Sequence, residues 1–512
     1  MKEPIIGIDL GTINSCAGIM RENNVEIIAN NEGKRIIPSI VCYKDGEWLC
    51  GELAKNNMIE YGESTMLESK RLIGLKYKNN NIQKEIKNWI VKIIEDTKTK
   101  KPQYVIKEEN EEKKYYPEEV SSMILKYIKK YSELYENNKI KKVIITVPAY
   151  FNNNQRKETI KAAELSGLEV IKIINEPTAV AIAYSDIINK DKNNKKILIF
   201  DIGGINFNVS ILEIKNNEYY ILSSCNKSHL GGEEFNKKLE EYIFKEIKKK
   251  DEFKNINFKN RNDKKILKAF KRIINKIEDV KIELTKQENS SFFIDSLYND
   301  EDFKINIERS KYEELCIDLW KQYFIEIDKA LNIAKLNKND IDDIILVGGS
   351  VRTPKIKQMI EEYFQKKPLQ NINVDEVVAY GASIFPYLDI KIHDITTKNI
   401  GISTSNGKMS IIIPAGTVLP VKDKSLKFYK EYILEGNNIL KTQTIKIYEG
   451  NNSMVSDNHL IGKFIINVNK NNKGTKIKII MYLDHNSILH VYGKINDEKN
   501  TETELKMEFD EL

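Results

Sequence analysis

The sequence predicts an α/β protein of two related lobes followed by a smaller all-β domain, and three observations predict it. An apolar strand runs into an aspartate twice, at Ile5-Ile6-Gly7-Ile8-Asp9 and at Ile197-Leu198-Ile199-Phe200-Asp201. Helix-patterned stretches follow each of them. Near residue 387 the pattern changes to short alternating strands that continue toward the end of the chain.

Each aspartate is followed by a glycine and then by a second alternating run, Ala17-Gly18-Ile19-Met20 and Val209-Ser210-Ile211-Leu212, which reads as strand–turn–strand. Apolar periodicity places helices near 117–135, 154–166, 233–250, 264–285 and 310–335. The repetition is a weak internal duplication of one sheet-plus-helices unit. Lys-rich stretches at 93–114, 187–196 and 245–264 lack apolar periodicity and are expected as surface loops or loop-flanked helix ends. Beyond Ile395, strands are expected at 409–413, 444–448, 476–480 and 488–491, separated by Gly, Asn and Asp turns. That spacing suits a β-sandwich of roughly a hundred residues. The expected units are 1–386, a linker at 387–395, and 396–512.

At 512 residues the chain exceeds one ordinary core. Lys+Arg 81 against Asp+Glu 75 leaves a net charge of only +6, and the lysines alternate with glutamates and asparagines. They read as a solvated face, not as a nucleic-acid stripe. Five scattered cysteines (Cys16, Cys42, Cys50, Cys225, Cys316) form no CxxC pair, which argues for a reducing compartment and against disulfides or a thiolate zinc site. The first residues hold too short an apolar run for a signal peptide, and no run approaches a membrane span. The final Phe509-Asp510-Glu511-Leu512 resembles a retrieval tail, but with no route of entry the expected location is cytoplasmic.

The two Asp-x-Gly turns carry chemistry. A carboxylate at the end of a buried strand can order the hydration shell of Mg²⁺, which keeps most of its waters. The glycine after it lets backbone N–H groups close on phosphate oxygens. Occurring twice, the element describes a clasp around a triphosphate. There is no G-x-x-x-x-G-K-[ST], so this is no P-loop. A third strand, Ile344-Ile345-Leu346-Val347, enters the paired glycines Gly348-Gly349, where backbone can approach a purine–ribose surface.

These segments resemble the seventy-kilodalton heat-shock (DnaK-type) chaperones. The resemblance rests on Gly7–Cys16, Lys70-Arg71-Leu72-Ile73-Gly74, Ile145–Asn152, Ile174-Asn175-Glu176-Pro177-Thr178-Ala179, His229-Leu230-Gly231-Gly232-Glu233, the Gly348 strand and Val374-Asp375-Glu376. They occur in family order. The resemblance implies an actin-like two-lobed ATPase domain and a β-sandwich that grips extended peptide. It implies Asp9 and Asp201 around a hydrated Mg²⁺, Lys70 at the γ-phosphate and attacking water, and Glu176 orienting that water. Gly11, Thr12, Ile13, Gly203, Gly204, Gly231 and Gly232 would line the phosphates. Glu233, Glu278, Lys281, Ile282, Thr285, Gly348, Gly349, Ser350, Arg352 and Asp375 would line the nucleoside side, with ATP or ADP as ligand and K⁺ as an accessory ion. Ile400, Ile402 and Ile445 would contribute to the peptide site.

The sequence also departs from the family. The second loop reads Asp201-Ile202-Gly203-Gly204-Ile205-Asn206-Phe207-Asn208. Ile205 stands for a glycine, Asn206 for a threonine near the γ-phosphate, and Asn208 for a carboxylate tied to cation or proton binding. In the first loop Ile13 stands for a second threonine. ATP binding with slow or absent hydrolysis is expected. The linker Asp389-Ile390-Lys391-Ile392-His393-Asp394 replaces leucines with a charge and a polar ring, at an expected cost of ~1–3 kcal/mol in an apolar groove. Gln443 and Ser405 stand where apolar peptide-contacting residues are usual, and the family's helical lid is expected to be missing.

Two mechanisms fit. One is nucleotide-regulated holding of unfolded polypeptide with a J-domain co-chaperone and a nucleotide exchange factor. The other resembles atypical ribosome-associated members, which regulate a J-domain protein and hydrolyse little ATP. A small-molecule kinase on the same fold is disfavoured by the sandwich and by Glu176-Pro177-Thr178-Ala179.

Overall fold

The structure is a computed structural model that describes residues 3–58, 60–87, 89–109, 111–185, 194–216, 218–258, 260, 263–404, 406–419, 426–433, 442–467, 476–496 and 503–506. The first lobe is built on a sheet of β1 (Ile5–Asp9), β2 (Asn14–Arg21), β3 (Asn24–Ile27), β4 (Lys142–Val147) and β5 (Glu169–Asn175), in the order β5-β4-β1-β2-β3. The second is built on β6 (Lys195–Ile202), β7 (Asn206–Lys215), β8 (Glu218–Ser228), β9 (Asp343–Val347) and β10 (Lys391–His393), in the order β9-β6-β7-β8-β10.

The duplication is therefore topological. β1 and β6 each pair antiparallel with the next strand and parallel with a distant one, so Asp9 lies beside Thr146 and Cys16, and Asp201 beside Val347 and Asn208. Ile197–Phe200 are buried as a continuous run, as expected of a strand covered on both faces.

Helices cover these sheets: α1 (Pro117–Glu136), α2 (Asn153–Leu165), α3 (Glu176–Ala183), α4 (Gly232–Ile247), α5 (Lys264–Glu283), α6 (Ile317–Ala334) and α7 (Val377–Ile384). In α5 the buried Ile266, Ala269, Ile273, Ile277 and Val280 recur every three or four residues, and Asp263 caps the amides of Lys265 and Ile266. The helix expected over 310–335 is two, broken at Cys316. α3 and α7 cross where a Cβ on Gly381 would lie 1.8 Å from the Ala179 carbonyl oxygen, so only glycine permits the crossing.

Two of the expected loops are ordered. Residues 93–114 form most of a three-stranded sheet (Lys92–Glu95, Pro102–Glu108, Glu111–Tyr115) that buries Tyr104, Val105 and Ile106. In 245–264, Phe253 and Phe258 sink into the second-lobe core. Isolated aromatic anchors, not periodicity, order that stretch. Most of 187–196 lies outside the described residues.

The sandwich consists of two four-stranded sheets. One is β12-β11-β14-β15, from β11 (Ile400–Ser403), β12 (Met409–Ile413), β14 (Thr442–Glu449) and β15 (His459–Asn467). The other is β13-β16-β17-β18, from β13 (Leu426–Ile433), β16 (Lys476–Leu483), β17 (Leu489–Asn496) and β18 (Thr503–Lys506). Ile400, Ile402, Ile413, Ile447, Ile479, Met481 and Leu489 are among the residues filling the core between them.

This unit sits against the first lobe. Asn153 accepts from the Leu489 amide at 2.8 Å and donates its own amide to Glu449 at 3.3 Å. The Ile173 amide donates to Asn486 at 3.0 Å, and Lys398 donates to the Tyr150 carbonyl at 3.1 Å.

The linker corrects an expectation. β10 joins the edge of β8 as a parallel strand, with Lys391, Ile392 and His393 opposite Glu218, Tyr219 and Tyr220. That edge offers a carboxylate beside the apolar cluster on which Ile390 and Ile395 pack. Glu218 takes Lys391 at 2.6 Å and His393 at 3.0 Å, and the His393 ring stacks on Tyr220 with centroids 4.3 Å apart. Hydrogen bonds from Lys391, Tyr220 and His393 pull the Glu218 carboxyl down to about 2. The polar linker meets a polar dock, so the expected penalty does not arise.

Candidate active site

The two Asp-x-Gly turns face each other across a cavity of about 470 Å³ between the lobes. Asp9 ends β1, and Gly11, Thr12 and Ile13 form the turn after it; Asp201 lies near the end of β6, and Gly203 and Gly204 lie in the hairpin to β7. Among the described residues, the amides of Thr12, Ile13 and Gly204 have no acceptor in the protein, which leaves them for an anion. Gly231 stands behind the second turn. Its amide donates to the Ile205 carbonyl at 2.9 Å, and a Cβ there would lie 2.5 Å from the Ile205 backbone. The amides of Gly232 and Glu233 donate to the carbonyls of Gly203 and Gly204, so the start of α4 braces the loop.

Lys70 lies on the short helix Ser69–Leu72, is only 8% exposed, and reaches Glu176, the first residue of α3, at 2.7 Å. This one ammonium faces three carboxylates. Burial raises Asp9 to about 7, with Lys70 opposing and Glu176 adding to the rise. Burial raises Asp201 to about 7 as well, reinforced by Glu176 and opposed by the hydrogen bond from Asn208.

Two partly buried carboxylates pushed so high are a donor set that a divalent cation would return to the ionised form. Among the described residues no cluster of three or more His, Cys, Asp or Glu could wrap a metal in protein ligands. Asp9 and Asp201, one carboxylate from each turn facing the cavity, fit a Mg²⁺ that keeps most of its waters.

Glu233, Glu278, Lys281, Ile282 and Thr285 line the cavity from α4, α5 and the residues after it, and Ile282 is 48% exposed. Burial lowers the Lys281 ammonium, whose Nζ lies 3.3 Å from the Gly232 carbonyl. Gly348, Gly349, Ser350 and Arg352 follow β9, and Arg352 is tied to Asp375 at 2.6 Å. Gly348 has φ +86, and a Cβ there would lie 2.2 Å from the Ile202 carbonyl oxygen, so the glycine is required on two counts. Of the candidate nucleotide residues, only Gly231 is placed behind the cavity wall. Ile400, Ile402 and Ile445 lie elsewhere: the first two are buried in the sandwich core and Ile445 packs beside it. Ser405 lies outside the described residues.

The departures in the second loop have definite surroundings. The Ile205 side chain is buried, and its backbone passes so close to Gly231 that a Cβ there would lie 2.5 Å away. Ile13 packs over Gly204, where a Cβ would meet it at 2.3 Å. The Asn208 amide donates to Asp201 at 3.1 Å, and its oxygen accepts from Asn226 at 2.8 Å. Asn206 donates to the Tyr150 hydroxyl at 2.7 Å. Tyr150 and Asn226 were missed as site residues. Tyr150 sits inside the segment Ile145–Asn152, whereas Asn226 becomes a neighbour only through the register of β7 with β8.

No helix among the described residues is long and apolar enough to cross a membrane. Comparison with protein-family models matches residues 5–511 to the Hsp70 protein model, which agrees with the two-lobed fold, the cavity and the sandwich. The chain belongs to the Hsp70 family of chaperone-type ATPases.

Proposed function

We propose that the chain binds ATP with Mg²⁺ between its two phosphate turns, hydrolyses it slowly, and uses the bound nucleotide to regulate a hold on unfolded polypeptide. In this reading 1–386 form the nucleotide-binding domain, 387–395 the linker and 396–512 the peptide-binding domain. One observation carries it: the 470 Å³ cavity gathers Lys70, Glu176, Asp9 and Asp201 with Glu278, Lys281, Ile282 and Thr285. When bound, magnesium would supply charge neutralisation to the phosphates through its ordered waters. Asp9 and Asp201 hold those waters, the free amides of the turns hold phosphate oxygens, and Lys70 and Glu176 position the attacking water.

Slow turnover is supported by the second loop. Asn206 offers an amide, already bonded to Tyr150, where the family has a threonine hydroxyl, and Asn208 is an amide that cannot accept a proton as a base. The same two residues favour a second reading, in which the chain serves as regulatory partner of a J-domain protein at the ribosome. A J-domain co-chaperone and a nucleotide exchange factor are the partners expected of the first reading.

Affinity capture from cells with and without ATP, joined to a single-turnover assay, separates the two. A broad mix of unfolded polypeptides released by ATP supports the chaperone. Ribosomes with a stoichiometric J-domain protein support the regulator. Hydrolysis as fast as in ordinary family members would overturn the slow-turnover reading in both.

A further inference from the structure

Tyr150 lies in the turn between β4 and α2 and lines the cavity beside Pro148 and Glu176. Its ring meets Phe151 edge-on at 5.8 Å, and the Lys70 ammonium stands 5.8 Å from the Phe151 centroid, so the turn is fixed next to Lys70. Burial, then the charges of Glu176 and Asp201, hold the phenol well above its ordinary value, and it stays protonated.

The Tyr150 oxygen accepts from Asn206, the first residue after the second phosphate turn, and so the phenol is tied across the cleft from one lobe to the other. Its own proton has no protein acceptor among the described residues. A half-buried donor left this way on a cavity wall is available to an acceptor that arrives with a ligand. The charges of Glu176 and Asp201 act on it, whereas Lys281 feels Glu278 and Glu233 instead, and its neighbour Phe151 stands against Lys70, so the phenol belongs to the phosphate end of the cavity.

We propose that Tyr150 is a further phosphate-binding residue, donating its hydroxyl to the terminal phosphate of a nucleoside triphosphate, and that Asn206 is the residue that positions it. The inference rests on the reading of the cavity as an ATP site and deepens it. A hydroxyl is thereby supplied from the first lobe to a loop that lacks one of its own.

Titration calorimetry of the 512-residue chain with ATP and with ADP, each with Mg²⁺, tests it. Tyr150→Phe is expected to weaken ATP about tenfold and ADP no more than about twofold. Asn206→Ala is expected to act in the same sense, and the double variant to bind ATP no more weakly than Tyr150→Phe alone. Unchanged ATP affinity in Tyr150→Phe, an equal loss of both nucleotides, or an additive double variant would each overturn the proposal. If Tyr150→Phe does not fold, the ATP-to-ADP affinity ratio of Asn206→Ala decides: a fall supports the proposal, and no change refutes it. A wild-type chain that takes up neither nucleotide would overturn the ATP reading and this inference together.

Discussion

Lys391 of the linker places its ammonium 2.6 Å from the Glu218 carboxylate at the edge of the second-lobe sheet. His393 shares the same carboxylate, so one acidic residue holds the whole strand β10. Glu218→Ala is expected to release that strand. Hydrogen exchange of the amides at 390–394 should then quicken several-fold, while exchange in β6 stays unchanged. Equal protection in variant and wild type would mean that the backbone ladder alone holds the linker.

Asp9, Asp201 and Glu176 share the single Lys70 ammonium, and this asymmetry predicts opposite results for the two ends of one ion pair. Lys70→Met removes the cation that opposes these carboxylates and should lower the stability of the nucleotide-free protein by about 2 kcal/mol or more. Glu176→Gln removes a repelling charge and should cost far less. Urea denaturation at neutral pH checks the order, and the account fails if Lys70→Met is the more stable variant.

The crossing of α3 and α7 admits no Cβ at Gly381. Gly381→Ala should cost about 3 kcal/mol or more, because the obstructing atom is backbone and cannot turn aside. A melting temperature within a degree or so of wild type would show that the two helices can separate.

His459 gives a pH dependence with a definite sign. Burial, with Lys398 and Lys76 nearby, depresses its imidazole from 6.5 to about 4. The unfolded chain therefore binds more protons than the native one between those values, and stability falls as pH drops below the unfolded value. Between neutral pH and about pH 5 the wild type should lose about 2 kcal/mol more than His459→Gln. Parallel losses in the two proteins would place the titration elsewhere.

The duplicated lobes, the sandwich and the two phosphate turns were legible because each rests on local grammar: a strand, an aspartate, a glycine; Lys70, Glu176, Glu278 and Lys281, which line the same cavity, came from the family resemblance. What was not legible depends on pairing between distant segments. The periodicity of 93–114 is hidden because Tyr104, Val105 and Ile106 are buried while the strands around them face outward. The linker looked unfavourable because Lys391 and His393 can be judged only beside Glu218, which lies far away in sequence. Asn206 read as a lost hydroxyl, and its bond to Tyr150 required the lobes to be brought together.

The central claim is that the clasp between Asp9 and Asp201 takes ATP with magnesium, and calorimetric titration of the wild-type chain addresses it directly. The account predicts saturable single-site binding of ATP with Kd near or below about 10 μM, weakened at least about tenfold when Mg²⁺ is chelated. No detectable binding up to about 1 mM ATP, or equal affinity with and without Mg²⁺, would contradict it.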